Sequence, residues 1–107
     1  MAGRKKRSFE RTKRRLLVEF NLGGANYSGF TNDISPTGLF VRSNRLPDPG
    51  TALAVSLHLP EGKHVVLRGK VVRSFRVPAA LSRLIPSGFA LQLSDSPEDY
   101  FQFLASL

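Results

Sequence analysis

The sequence predicts a mainly β fold: a small six-stranded antiparallel barrel with a C-terminal amphipathic helix and a flexible basic N-terminal arm. Three observations carry that expectation. Short apolar alternations recur between Gly/Pro turn signals, as in small barrels. One apolar stripe at helical spacing closes the sequence. Eight of the sixteen Lys/Arg residues fall within the first fifteen positions, where hydrophobic periodicity is lacking.

The elements follow in order. Residues 1–15 form the arm, with residues 1–14 expected to be mobile unless a ligand orders them. The barrel domain is assigned to residues 16–107. Leu16, Val18, Phe20 and Leu22 alternate with Leu17, Glu19 and Asn21, the pattern of a half-buried strand. Gly23-Gly24 turns the chain, and Ala25 to Ile34 reads as the second strand. Asp33 to Gly38 is a turn punctuated by Pro36 and Gly38, and Leu39 to Ser43 resumes extended structure. After the strong turn Pro47-Asp48-Pro49-Gly50, Leu53, Val55, Leu57 and Leu59 alternate with smaller or polar residues. Pro60 to Lys63 closes a hairpin-like connection into a long strand, Val65 to Phe75. Gly88 to Leu93 is the last strand, with Phe89, Leu91 and Leu93 on one face.

The helix is assigned to residues 97–107. Ser96 is suited to cap it, Pro97 to its first position, and Glu98 and Asp99 to the positive end of its dipole. Tyr100, Phe103, Leu104 and Leu107 supply the stripe at i, i+3, i+4 and i+7. Arg76 to Ser87 stands apart, being long for a hairpin loop and apolar for a free one. Ala79 to Leu84 is its candidate helical turn, and packing within the chain is favoured over contact with a partner.

Composition limits the function classes. One hundred and seven residues make one domain, and 41% hydrophobic content with eight Phe supplies a core without staples. Without cysteine there is no disulfide, thiolate metal site or thiol nucleophile. The net charge of +8 is uneven: residues 1–15 carry +7, and the rest sets eight Lys/Arg against seven acids. Such an arm draws anions, whereas a near-neutral body disfavours an extended nucleic-acid groove. No apolar run reaches the length of a membrane span, and no signal-peptide region follows the basic stretch, so a cytoplasmic protein is expected. His58 is expected to face solvent and His64 sits beside a turn, which makes a poor metal site. No nucleophilic triad, phosphate loop or carboxylate pair can be assembled, so the chain does not read as an enzyme.

Two patterns carry chemistry. Arg7-Ser-Phe-Glu-Arg11 and Arg11-Thr-Lys-Arg-Arg15 both read RxxxR, and Asp33-Ile-Ser35-Pro-Thr-Gly38 reads DxSxxG. Arginine forks onto phosphate oxygens, stacks on a base and pairs with guanine O6 and N7. A carboxylate such as Asp33 accepts from guanine N1–H and N2–H, and the Ser35 hydroxyl suits a phosphate oxygen or base edge. Gly38 permits a positive φ and a close backbone approach. Either pattern alone is weak evidence, because basic runs and turn formers are common. Their order, and the strand between them, raise their weight.

Together they resemble the PilZ domain family, a bacterial receptor module for cyclic di-GMP. The likeness spans roughly residues 7–107 and extends to Gly38-Leu39-Phe40-Val41, Leu59-Pro60-Glu61-Gly62, Gly69-Lys70-Val71-Val72-Arg73, Gly88-Phe89-Ala90-Leu91 and Ser96-Pro97-Glu98-Asp99. The segment Arg76–Ser87 is its main departure. The resemblance implies a helix-capped barrel and a non-enzymatic cyclic di-GMP receptor that needs no cofactor. Its arm orders around the nucleotide and signals to an effector protein or a second copy. The implied ligand residues are Arg7, Arg11, Asp33, Ser35 and Gly38. The spacing to the first strand favours Arg7 with Arg11, with Arg15 in reserve, and Arg14 and Arg42 are further candidates. Arg45, Arg73 and Arg76 read, like Arg42, as surface charges from which the ligand can recruit help. The competing classes are a PilZ-like adaptor that binds no nucleotide and a basic-arm nucleic-acid binder.

Overall fold

The computed structural model describes residues 11–107. Seven strands and one helix follow in order: β1 (Thr12–Lys13), β2 (Leu17–Leu22), β3 (Ala25–Ser35), β4 (Gly38–Arg42), β5 (Ala52–His58), β6 (His64–Phe75), β7 (Gly88–Leu93) and α1 (Glu98–Ala105). All pairings are antiparallel, and the order β1-β3-β2-β5-β6-β7-β4 closes on itself because β3 also pairs with β4. Six strands therefore make the expected barrel, which leaves none of them with a free sheet edge along its full length.

The alternation read from the sequence sorts inside from outside. Val18 and Phe20, then Leu53, Val55 and Leu57, then Val65, Leu67 and Val71, then Phe89 and Leu91 fill the interior. Phe20 meets Phe89 edge-on, with ring centroids 5.4 Å apart. Gly23 and Gly24 join β2 to β3 in a two-residue turn with both φ angles positive (63° and 88°), a conformation suited to glycine. His58 is half-exposed, as expected, and its Nε2 lies 2.8 Å from Glu19 Oε1 on the neighbouring strand.

The seventh strand, at residues 12–13, lies within the stretch expected to be mobile without a ligand; the rest of the arm before Arg11 lies outside the described residues. Thr12 and Lys13 pair with Ile34 and Asp33, on the same edge of β3 that β2 occupies further along. Between β1 and β2 the register slips by one residue. Thr31, fully buried, bridges the slip: its hydroxyl donates to the Arg14 carbonyl at 2.6 Å and accepts from the Leu16 N–H at 2.9 Å. The extra residue, Arg15, swings its guanidinium over the Phe30 ring, 4.1 Å from the centroid.

Two expectations are corrected. Helix α1 starts one residue later and ends two earlier than the range 97–107, and Ser96 does not cap it. Pro97 holds the cap position, and the Ser96 hydroxyl donates instead to the Pro36 carbonyl at 2.6 Å. The loop after β6 packs at its two ends, where Val77, Pro86 and Ser87 are half-buried, but not at its apolar tip. Ala79–Leu81 form a single 3₁₀ turn, and Leu81, Leu84 and Ile85 stay exposed.

Candidate functional site

The DxSxxG segment is a hairpin rather than a broad turn, because β3 runs through Ser35 and β4 starts at Gly38. Only Pro36 and Thr37 lie between them. Ser35 is buried, and its hydroxyl accepts from the N–H groups of Gly38 (3.2 Å) and Thr37 (3.3 Å) while donating to the Gly38 carbonyl (3.1 Å). The serine therefore fixes the hairpin from inside. Its carbonyl accepts from the Tyr100 hydroxyl at 2.7 Å, so α1 is bonded directly to the motif. Burial pushes the Tyr100 phenol far above its ordinary value, and the Ser35 bond and the nearby Arg11 charge offset only part of that.

The φ of Gly38 is not positive. The reason for glycine is its neighbour on β7: a Cβ here would lie 2.7 Å from the Leu91 carbonyl oxygen.

Asp33 reaches the outer surface through a β-bulge. Thr31 faces Val41 and Asp33 faces Phe40, so Asn32 is an extra residue on β3. Strict alternation from buried Thr31 would send Asp33 inward. The bulge gives the inward place to Ile34, which is fully buried, and turns Asp33 out. A second bulge does the same on β6, where Val71 faces Leu91, Arg73 faces Ala90 and Val72 is the extra residue. Because Phe40 faces Ala90, one row crosses four strands: Asp33, Phe40, Ala90, Arg73.

That row is the floor of an open cleft of roughly 600 Å³, lined by Arg11, Asp33, Thr37, Gly38, Phe40, Val72, Arg73, Ala90, Leu91 and Gln92. The volume lies in the usual range for small-molecule sites, about 300–1,000 Å³. Arg11 enters it from the residue before β1, and its Nε donates to Asp33 Oδ1 in an ion pair. Asp33 Oδ2 accepts from Asn32 Nδ2 at 3.2 Å. The arginine is the more exposed partner (46% against 19%), so the carboxylate is held in place while the guanidinium remains accessible. Phe40 packs against Phe75 with the rings tilted by 31° and centroids 5.6 Å apart. A Cβ on Gly88 would come within 2.7 Å of the Phe40 ring, so the aromatic is seated against bare backbone.

Of the sequence-selected residues, Arg11, Asp33 and Gly38 meet in this cleft, and Ser35 lies beneath it. Arg14 is exposed just after β1. Arg15 is engaged with Phe30, and Arg42 lines a different, smaller depression with Ser82 and Ser87. Arg7 lies outside the described residues. Phe40 and Gln92 were not selected from the sequence, and Arg73 only as one of several surface charges. No pattern within a single strand marks them, because the cleft that gathers them is set by the pairing of β3, β4, β7 and β6.

The PilZ domain model matches residues 5–105. The chain belongs to the PilZ domain family. PilZ domains are non-catalytic cyclic di-GMP receptor modules. Among solved structures the chain is similar to the Bacillus subtilis inhibitor of motility MotI/DgrA (20% identity, TM-score 0.75, 92% of this chain and 47% of that one). It is also similar to Borreliella burgdorferi PlzA in complex with c-di-GMP (16% identity, TM-score 0.59, 98% of this chain and 36% of that one). A third likeness is to the PilZ domain of CeSA from a cellulose-synthesizing bacterium (20% identity, TM-score 0.60, 91% of this chain and 93% of that one). At these identities the likeness concerns the fold, and the chain spans under half of the first two proteins. No curated protein matches it by sequence. Among the described residues no helix is long and apolar enough to cross a membrane.

Proposed function

We propose that this PilZ domain is a cytoplasmic receptor for cyclic di-GMP that holds the nucleotide in the Arg11–Asp33 cleft. The observation that carries the reading is the Arg11–Asp33 ion pair, which brings the two sequence patterns to one edge of one cleft. Without nucleotide, the two charged groups satisfy each other. A guanine offers Asp33 its N1–H and N2–H donors, and the released Arg11 fork takes a phosphate or the O6/N7 edge. Exchange of partners of this kind costs little, since an exposed pair is worth about 0–1 kcal/mol.

The remaining cleft residues divide the ligand among them. Phe40 presents an aromatic face on which a base stacks, worth about 1–3 kcal/mol. Arg73 and Gln92 stand across the floor from Asp33, placed to meet the second phosphate or the second guanine edge. Gly38 keeps the wall low, and Ser35 acts through the hairpin shape. Arg7 extends the clamp along the arm, with Arg14 and Arg15 adding charge. Ordering of the arm around the nucleotide is the signal, read by an effector protein or a second copy.

The discriminating experiment is displacement of a fluorescent cyclic di-GMP analogue. Unlabelled cyclic di-GMP should displace it at stoichiometric levels, with GTP and cyclic GMP ineffective. Displacement by bulk RNA that vanishes steeply with added salt would instead favour a nucleic-acid surface. No binding of the analogue at all would leave an adaptor that takes no nucleotide.

A further inference from the structure

We propose that the turn between β6 and β7 is a docking tip for an anionic lipid bilayer. The reasoning starts from charge. Between Glu61 and Asp95 the chain carries no carboxylate, but it carries Lys63, Arg68, Lys70, Arg73, Arg76 and Arg83. At the far end of that hairpin Leu84 is 78% exposed, the most open large hydrophobic among the described residues, with Leu81 at 42% and Ile85 at 46% beside it. The backbone of this tip bonds only to itself, from Leu81 N–H to Pro78 carbonyl through Ile85 N–H to Leu81 carbonyl. It therefore offers a partner no strand edge and no helix face.

Arg76 and Arg83 are exposed on the same turn, Arg83 directly beside Leu84, and Arg42 on β4 lines a depression together with Ser82 and Pro86 of the turn. Among the described residues none of the three is in an ion pair. Exposed Leu and Ile side chains beside exposed cations on one turn suit the boundary of an anionic bilayer, where acyl chains and phosphates lie close together. A bilayer also requires no matching groove, which suits a self-contained convex turn better than an acidic protein would. Each cation near an anionic surface adds attraction, and inserted Leu and Ile side chains add the hydrophobic part.

The test is vesicle co-sedimentation of the full chain, using phosphatidylcholine alone or with 30% phosphatidylglycerol. The wild type should pellet with the anionic vesicles and stay in solution with neutral ones. The pair Leu84→Ser and Ile85→Ser leaves the whole charge, including the basic arm, unchanged and touches no core residue. It should reduce partition at least tenfold. A pair variant that pellets like wild type would assign all binding to the arm and overturn the proposal, as would a wild type that ignores anionic vesicles. A second readout is an environment-sensitive dye on a cysteine introduced by Ser82→Cys. Its emission should shift blue with anionic vesicles, and a shift only with an acidic polypeptide such as polyglutamate would replace the lipid by a protein and refute the bilayer reading.

Discussion

Tyr100→Phe removes one oxygen from the molecule and one bond between the helix and the ligand hairpin. The Tyr100 ring is fully buried and its hydroxyl donates to the Ser35 carbonyl at 2.7 Å, so the phenylalanine ring keeps the packing and loses only that bond. A net hydrogen bond is worth about 1 kcal/mol, and stranding a buried acceptor adds to this, so a loss of about 1–2 kcal/mol is expected. For a domain of this size that lowers Tm by roughly 5–10 °C. The pH dependence gives a second, independent signature. The phenol's pKa is raised in the folded state above its ordinary value of 10.0. The bound proton is therefore kept by the folded chain and lost by the unfolded one as pH rises past that ordinary value. The tyrosine's contribution is complete below about pH 10 and declines above it, by up to about 1.4 kcal/mol per pH unit. Wild type and Tyr100→Phe should thus differ by a constant amount from pH 6 to 9 and converge above pH 10 in urea titrations. A variant as stable as wild type at pH 7, or a difference that grows in alkali, would refute the bond and its burial.

Other expectations follow from the cleft. Arg11→Ala should weaken cyclic di-GMP binding by about 1–3 kcal/mol, five- to 150-fold, while moving Tm by no more than about 1 kcal/mol equivalent, as calorimetry of binding and of unfolding would show. Arg73→Ala should weaken binding in the same range without affecting the Arg11–Asp33 pair; unchanged affinity would remove the far wall from the site. Gly38→Ala should destabilise the fold by roughly 1–3 kcal/mol in chemical denaturation, because its methyl meets the Leu91 carbonyl oxygen at 2.7 Å. Thr37→Ala, whose side chain makes only a 3.5 Å contact to the Ser35 hydroxyl, should leave both affinity and stability within a few tenths of a kcal/mol of wild type.

Much of this molecule was legible in the sequence because its strands face solvent on one side. Val18 and Phe20, or Leu53, Val55 and Leu57, are buried as their alternation requires. Asp33 and Arg11 were legible as chemistry, through residue types and spacing. Features that break the period were not. Asn32 and Val72 are ordinary strand residues whose bulges are defined by the partner strand's register. No window on one strand shows that Asp33 and Arg73 end in one row. Strand β1 is two residues long, too short for any periodicity, and exists through its pairing with Ile34 and Asp33. Ser96 has the right chemistry for a cap, yet its hydroxyl bonds a tertiary partner, the Pro36 carbonyl. The apolar tip at Leu84 misled in the opposite direction: hydrophobic composition predicted packing, but the 3₁₀ turn leaves those side chains outside.

The central claim is that one cleft, joined by Arg11 and Asp33, receives a cyclic dinucleotide. Isothermal titration of the purified chain with cyclic di-GMP, beside the same titration of Arg11→Ala and Asp33→Ala, tests it most directly. Saturable heat with wild type, at a stoichiometry that counts the nucleotides held, and marked weakening in both variants is the predicted result. Absence of heat with wild type at high ligand, or equal affinity in all three proteins, would contradict it.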